Sequence, residues 1–266
     1  MRNIGIWWTG QSNQAGATLT DNGGVGALFT SSYTGVSDPL RLNVNGGGSC
    51  LPYLIDLGLA RGVNYIILNG AIGGASVYHY SGIVGATVTG SATDPAIFCN
   101  MGSSGLSLSA GTACVEGDAQ FDPFTFNARL RAAKALYPQI TEWVGCWANA
   151  ESDGGTASAL YQAALVSNAN YALASGVNKY LIGLSSSGNN SQATMDRLQT
   201  AYLAAIGTLV GQGKNVAQGA DLYAKWGMTP PLYTEKFAVA TKVHLTKEGQ
   251  RVQAELWNAA LLAAGY

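Results

Sequence analysis

Five short apolar runs constrain this chain most: Ile4–Thr9, Asn64–Leu68, Glu142–Trp147, Lys179–Leu184 and the weaker Asn215–Ala217. The first four are rich in β-branched and aromatic residues, which at this length predicts buried strands. Helical patterns separate them. Leu51–Ala60 carries apolar positions at helical spacing, and Thr125–Tyr137 does so through Phe126, Leu130, Ala133 and Leu136 until Pro138 stops it. Thr156–Ser175 is Ala-rich with Gly176 at its end, Ala193–Leu209 ends near Gly211, and Thr246–Ala264 closes the chain. Strand–helix alternation of this kind predicts an α/β fold, a parallel sheet covered on both faces. The 266 residues carry no internal repeat and no linker, so one domain over 1–266 is expected.

Two stretches break the alternation, Ala17–Ser49 and Val77–Gly117, both rich in Gly, Ser, Thr and Asn. Each exceeds the ~12–15 residues usual for an unstructured loop, which points to lids, binding loops or small β insertions. Gly85–Gly90 alternates like a short hairpin. Both stretches closely follow a predicted strand, so they are expected to rise from one edge of the sheet and wall one pocket.

The composition excludes several classes of function. Hydrophobic residues make up 47% of the chain and charged ones only 11%, well below the ~25% of an average protein. Net charge is −1 and the 14 basic residues are scattered, so nothing points to nucleic acid or an anionic membrane. No apolar run reaches the ~18 residues of a membrane span, and Met1-Arg2 leads into a strand without the pattern of a signal peptide. Cys50, Cys99, Cys114 and Cys146 are widely spaced, which argues against zinc. Cys146 reads as an apolar filler of a strand, while Cys99 and Cys114 flank a Gly/Ser-rich segment and could pair if the compartment is oxidising, a point the sequence leaves open.

Four places carry residues suited to chemistry. Ser12 follows the first strand in Thr9-Gly10-Gln11-Ser12-Asn13, where an open α/β sheet presents its ligands. The pair Gly73-Gly74 follows the second strand, and its N–H groups can approach a developing negative charge. Asn149 ends the third strand with an amide donor, and Glu151 and Asp153 follow it, able to orient neighbours or cap a helix. His244 precedes the last helix, with Thr246 as a possible N-cap. The other histidine, His79 beside Tyr78, reads as a surface or pocket-wall residue. In this order the chain supplies a nucleophile, two kinds of oxyanion donor and a base, which is what ester hydrolysis requires.

On these blocks the chain resembles the SGNH (GDSL-like) hydrolases, and within them the sialate O-acetylesterase and carbohydrate acetylesterase branch. The blocks are Gly10-Gln11-Ser12-Asn13, Gly73-Gly74-Ala75, Trp147-Ala148-Asn149-Ala150-Glu151-Ser152-Asp153 and Thr241-Lys242-Val243-His244-Leu245. The third block has Asn149 and Ala150 where the branch has Gln and Gly. The resemblance implies a flavodoxin-like three-layer fold with a sheet of about five strands. It makes Ser12 the nucleophile and His244 the general base. Oxyanion donors would be the N–H groups of Ser12 and Gly74 and the Asn149 side chain, with Gln11, Gly73, Tyr78 and His79 toward substrate. No metal or cofactor is implied. There is no Gly-x-Ser-x-Gly, so the α/β-hydrolase elbow is not the template.

The branch has an aspartate where this chain has Thr241. A threonine hydroxyl can orient an imidazole but supplies no charge. Three outcomes are open: a Ser–His pair oriented by Thr241 or a carbonyl, an acid from elsewhere such as Glu151, Asp153 or Asp221, or a site that only binds. The leading expectation is a serine esterase that removes O-acetyl groups from a carbohydrate. The alternatives are a weak or inactive carbohydrate-binding or surface module on the same scaffold, and a lipid esterase or thioesterase.

Overall fold

The computed structural model of the chain describes residues 2–10, 50–69, 71, 77, 126–226 and 245–266. Strand β1 (Arg2–Gly10) is buried from Ile4 onward, as a strand covered on both faces must be. It is joined by β2 (Val63–Asn69), β3 (Trp143–Asn149), β4 (Lys179–Leu184) and β5 (Val216–Asp221). The five strands are all parallel, in the order β2-β1-β3-β4-β5. This is the flavodoxin-like arrangement, and its winding reverses between β1 and β3.

The register fixes which residues share the carboxyl edge. Trp8 pairs with Asn69, Gly10 with Ala148, Asn149 with Leu184, and Leu184 with Asp221 past an irregularity after Ile182. The ends of all five strands therefore lie together, and the segments that follow β1 and β2 both begin there.

Side chains alternate between two cores, as strand geometry requires. Ile4, Ile6, Trp8, Val144, Cys146 and Leu181 face helices α1 (Leu51–Leu59) and α6 (Lys247–Ala263). Trp7, Trp143, Trp147, Tyr180 and Ile182 face α2 (Phe126–Leu136), α3 (Ser158–Ala174) and α4 (Gln192–Gly211). The short α5 (Leu222–Trp226) follows β5 directly. Trp257 of α6 meets Trp8 edge-on, with ring centroids 5.1 Å apart. On the other face, Gly5 and Gly145 leave room for the rings of Trp143 and Tyr180, which a Cβ would strike. Cys146 is a buried free thiol, in keeping with an apolar filler, and Cys50 is another.

Helix α6 runs against the strands. Its entry residue Leu245 packs on Leu222 beside the end of β5. Its exit carbonyl, Gly265, accepts from Arg2 Nη1 at 2.7 Å, at the start of β1. Thr246 is the N-cap, accepting from the Gly249 N–H at 3.1 Å. Gly176 follows α3 with φ 100°, the left-handed turn that its position predicts.

Three details depart from the sequence expectations. Helix α3 starts at Ser158 and not Thr156, because Thr156 is held in the preceding loop. The weak fifth run extends to Asp221, with Gln218 exposed at a sheet edge and Asp221 buried. Helix α5 was not expected, since five residues show no periodicity.

Candidate active site at the carboxyl edge

The winding reverses between β1 and β3, and the carboxyl side of such a switch point is the usual ligand position in an open α/β sheet. Gly10 closes β1 with φ 133°, a conformation that favours glycine. The Gln11-Ser12 pair follows it in sequence. Asn149 stands at the end of neighbouring β3, one residue past the partner of Gly10. Gln11, Ser12, Gly73, Gly74, Tyr78, His79, Thr241 and His244 lie outside the described residues, as do Cys99 and Cys114 and most of the two long insertions.

Asn149 is fully buried. Its Oδ1 accepts from the Ala150 N–H at 2.7 Å, which assigns the opposite edge of the amide to the NH₂ group. Its carbonyl accepts from the Ser185 N–H at 3.3 Å and from the Tyr161 hydroxyl at 3.4 Å. Burial drives the Tyr161 hydroxyl well above its usual pKa, so it stays a neutral donor. Asn149 is thus an amide donor with a fixed orientation, the form in which a side chain can stabilise an oxyanion.

The three acids of the sequence analysis have different surroundings. Asp153 is fully buried and accepts from the Val77 N–H at 3.2 and 3.3 Å and from Thr156 Oγ1 at 3.4 Å. Burial pushes its carboxyl up to about 7, with the charge of Glu151 adding to the rise and its hydrogen bonds opposing it. Glu151 is half-buried on the same segment. Asp221 ends β5 and caps α5, accepting from the Ala224 N–H at 2.7 Å, while Gln199 Nε2 donates to its other oxygen at 3.0 Å. Burial raises its carboxyl as well.

Further residues shape this edge without having been singled out in the sequence. Ser185, Ser186 and Ser187 follow β4 and are all fully buried. A run of hydroxyls after a buried strand was the available signal. Asn190 Nδ2 donates to the Ala150 carbonyl at 3.1 Å. Arg197 of α4 donates to the Gly154 carbonyl at 2.7 Å and to that of Thr156. Neither stands out among isolated polar residues. Open grooves along α3, lined by Gln162, Val166, Asn170 and Tyr171, belong to the helical layer and not to this edge. Among the described residues no group of three or more His, Cys, Asp or Glu could hold a metal, and no helix is long and apolar enough to cross a membrane.

No protein-family model matches the chain, and no curated protein is significantly similar to it. Solved structures are. The crystal structure of TesA superposes with a TM-score of 0.51 at 15% identity, over 99% of each chain. A candidate SGNH hydrolase from Slackia heliotrinireducens gives a TM-score of 0.47 at 14% identity, over 98% of each chain. At such identities the likeness to TesA is one of fold, and that fold extends over nearly the whole chain.

Proposed function

We propose that the chain is an SGNH-type serine esterase that removes O-acetyl groups from a carbohydrate. One observation carries the reading: β1, which Gln11-Ser12 follow in sequence, ends with Gly10 at the switch point of the sheet, paired with the residue before the buried, oriented amide of Asn149. In this reading Ser12 Oγ attacks the ester carbonyl while His244 takes its proton. The tetrahedral oxyanion is held by the N–H groups of Ser12 and Gly74 and by Asn149 Nδ2. His244 returns the proton to the leaving sugar hydroxyl. Water, deprotonated by His244, then releases acetate from the acyl-enzyme. Gln11, Gly73, Tyr78 and His79 would meet the sugar.

Asp153 and Asp221 already accept hydrogen bonds from backbone and side-chain donors. That favours a Ser–His pair oriented by a hydroxyl or carbonyl, with Thr241 standing three residues before His244 where the resembling branch has its aspartate. The missing acid also favours a second reading, a carbohydrate-binding module with little or no turnover.

Acetate release from an aryl acetate, and from acetylated against longer-chain esters, tests the proposal. Ser12→Ala is expected to abolish turnover and labelling by a fluorophosphonate. Retained activity in that variant would remove Ser12 from the mechanism. No turnover of any ester by the unvaried chain would favour the binding module. Preference for long acyl chains would make it a lipid esterase or thioesterase.

A further inference from the structure

The segment after β3 delivers Asn149 and, four residues later, the fully buried carboxylate of Asp153. Both oxygens of that carboxylate lie within hydrogen-bond distance of one backbone donor, the N–H of Val77. Val77 is itself fully buried, and it is 76 residues away in sequence. The carboxylate end of this tie is braced from within its own segment and from other elements. Thr156 Oγ1 donates to Asp153, Arg197 of α4 holds the carbonyls of Gly154 and Thr156, and Asn190 holds that of Ala150. The other end is chain that has just left β2. Gly74 precedes Val77 by three residues.

We propose that Asp153 is a positioning residue that locks the segment after β2 to the segment after β3, so that the Gly74 N–H and the Asn149 amide face one oxyanion. The inference rests on the esterase reading given above. Oxyanion donors act by being fixed before charge develops, and a misplacement of ~1 Å can cost about 10²-fold in rate. A carboxyl group suits the task, because both of its oxygens lie within reach of the one N–H, at 3.2 and 3.3 Å, and an acceptor remains in either protonation state. Asp153 acts through the backbone it holds and touches no reacting atom.

The test uses the full chain, with Asp153→Ala, Asp153→Asn and hydrogen exchange at the Val77 amide. Asp153→Ala is expected to lower kcat on an aryl acetate about 10²-fold, with KM little changed, and to expose the Val77 amide to exchange. Asp153→Asn keeps an acceptor oxygen and should retain most of kcat and the protection of Val77. Wild-type kcat in Asp153→Ala would overturn the proposal. So would a Val77 amide that exchanges at the free-peptide rate in the unvaried chain, a measurement that needs no variant to fold. If Asp153→Asn is as inactive as Asp153→Ala while Val77 stays protected, the charge itself is required and Asp153 serves the histidine instead. Absence of Ser12-dependent turnover in the unvaried chain would overturn the esterase reading and this role together. Normal turnover with an unaffected Asp153→Ala would overturn this role alone.

Discussion

Asn149 joins two demands in one side chain. Its Oδ1 satisfies the buried Ala150 N–H, and its NH₂ is the proposed oxyanion donor. Asn149→Ala removes both, so a rate effect would be mixed with a cost of about 1–3 kcal/mol for the N–H left unpaired. Asn149→Asp separates them, since a carboxylate still accepts from Ala150 but offers no donor. Steady-state kinetics on an aryl acetate should show Asn149→Ala lowering kcat ~10²–10³-fold with a smaller change in KM. Asn149→Asp should lose more than Asn149→Ala, because it sets a negative charge beside the developing oxyanion. A loss confined to KM would make Asn149 a substrate-binding residue. Its place was legible because it ends a run of buried apolar residues, where burial leaves a polar group few purposes. The tie from Asp153 to Val77 was not legible, since nothing local in the sequence records a partner 76 residues away. The buried serines after β4 differ: singly each hydroxyl resembles an ordinary turn residue, and only the run of three after a buried strand marks them.

At the level of elements, strands and helices followed from apolar periodicity, and the misses fall where tertiary contacts take over. The end of β5 pairs with β4 although Gln218 and Gly219 break its apolar run. Helix α5 exists because Asp221 caps it and Leu222 docks on Leu245, not through any pattern of its own. The same contrast separates two glycines. A Cβ on Gly183 in β4 would lie 2.6 Å from the Ala220 carbonyl oxygen and 2.9 Å from Trp257 Cζ2. A neighbouring strand's backbone cannot retreat without loss of pairing, so Gly183→Ala should cost roughly 1–3 kcal/mol. Gly207 lies in α4, and beyond its own turn of helix no atom comes within 4 Å of its would-be Cβ. There alanine restricts the unfolded chain and suits the helix, so Gly207→Ala should gain about 0.4–1 kcal/mol. Denaturant unfolding of both variants checks the pair. Equal effects at the two positions would contradict the packing described for β4 and α6.

For the molecule as a whole, few charges mean that a single buried acid can shape the dependence of stability on pH. Asp153 is held at about 7 in the folded chain against an ordinary 3.8, chiefly by burial. Glu151 on its own segment adds to the rise, Tyr161 on α3 is neutral, and Arg197 on α4 reaches the segment through the Gly154 and Thr156 carbonyls. Between those two values the folded chain keeps a proton that the unfolded chain has released. Stability therefore falls as pH rises through this window, by up to about 1.4 kcal/mol per pH unit. The contribution is complete below the unfolded value and lost above the folded one. Either protonation state leaves an oxygen to accept from Val77, so the tie persists while its electrostatic balance changes. Asp153→Asn has no proton to release. Urea unfolding of both proteins from about pH 4.5 to 8 should show the wild-type stability, relative to the variant, declining with pH and levelling off above neutrality. The comparison cancels titrations the two chains share, among them Asp221, whose carboxyl is also raised, and Glu142, which Arg2 lowers. A difference flat across the range would mean that Asp153 is ionised throughout, with the Val77 and Thr156 donors outweighing its burial.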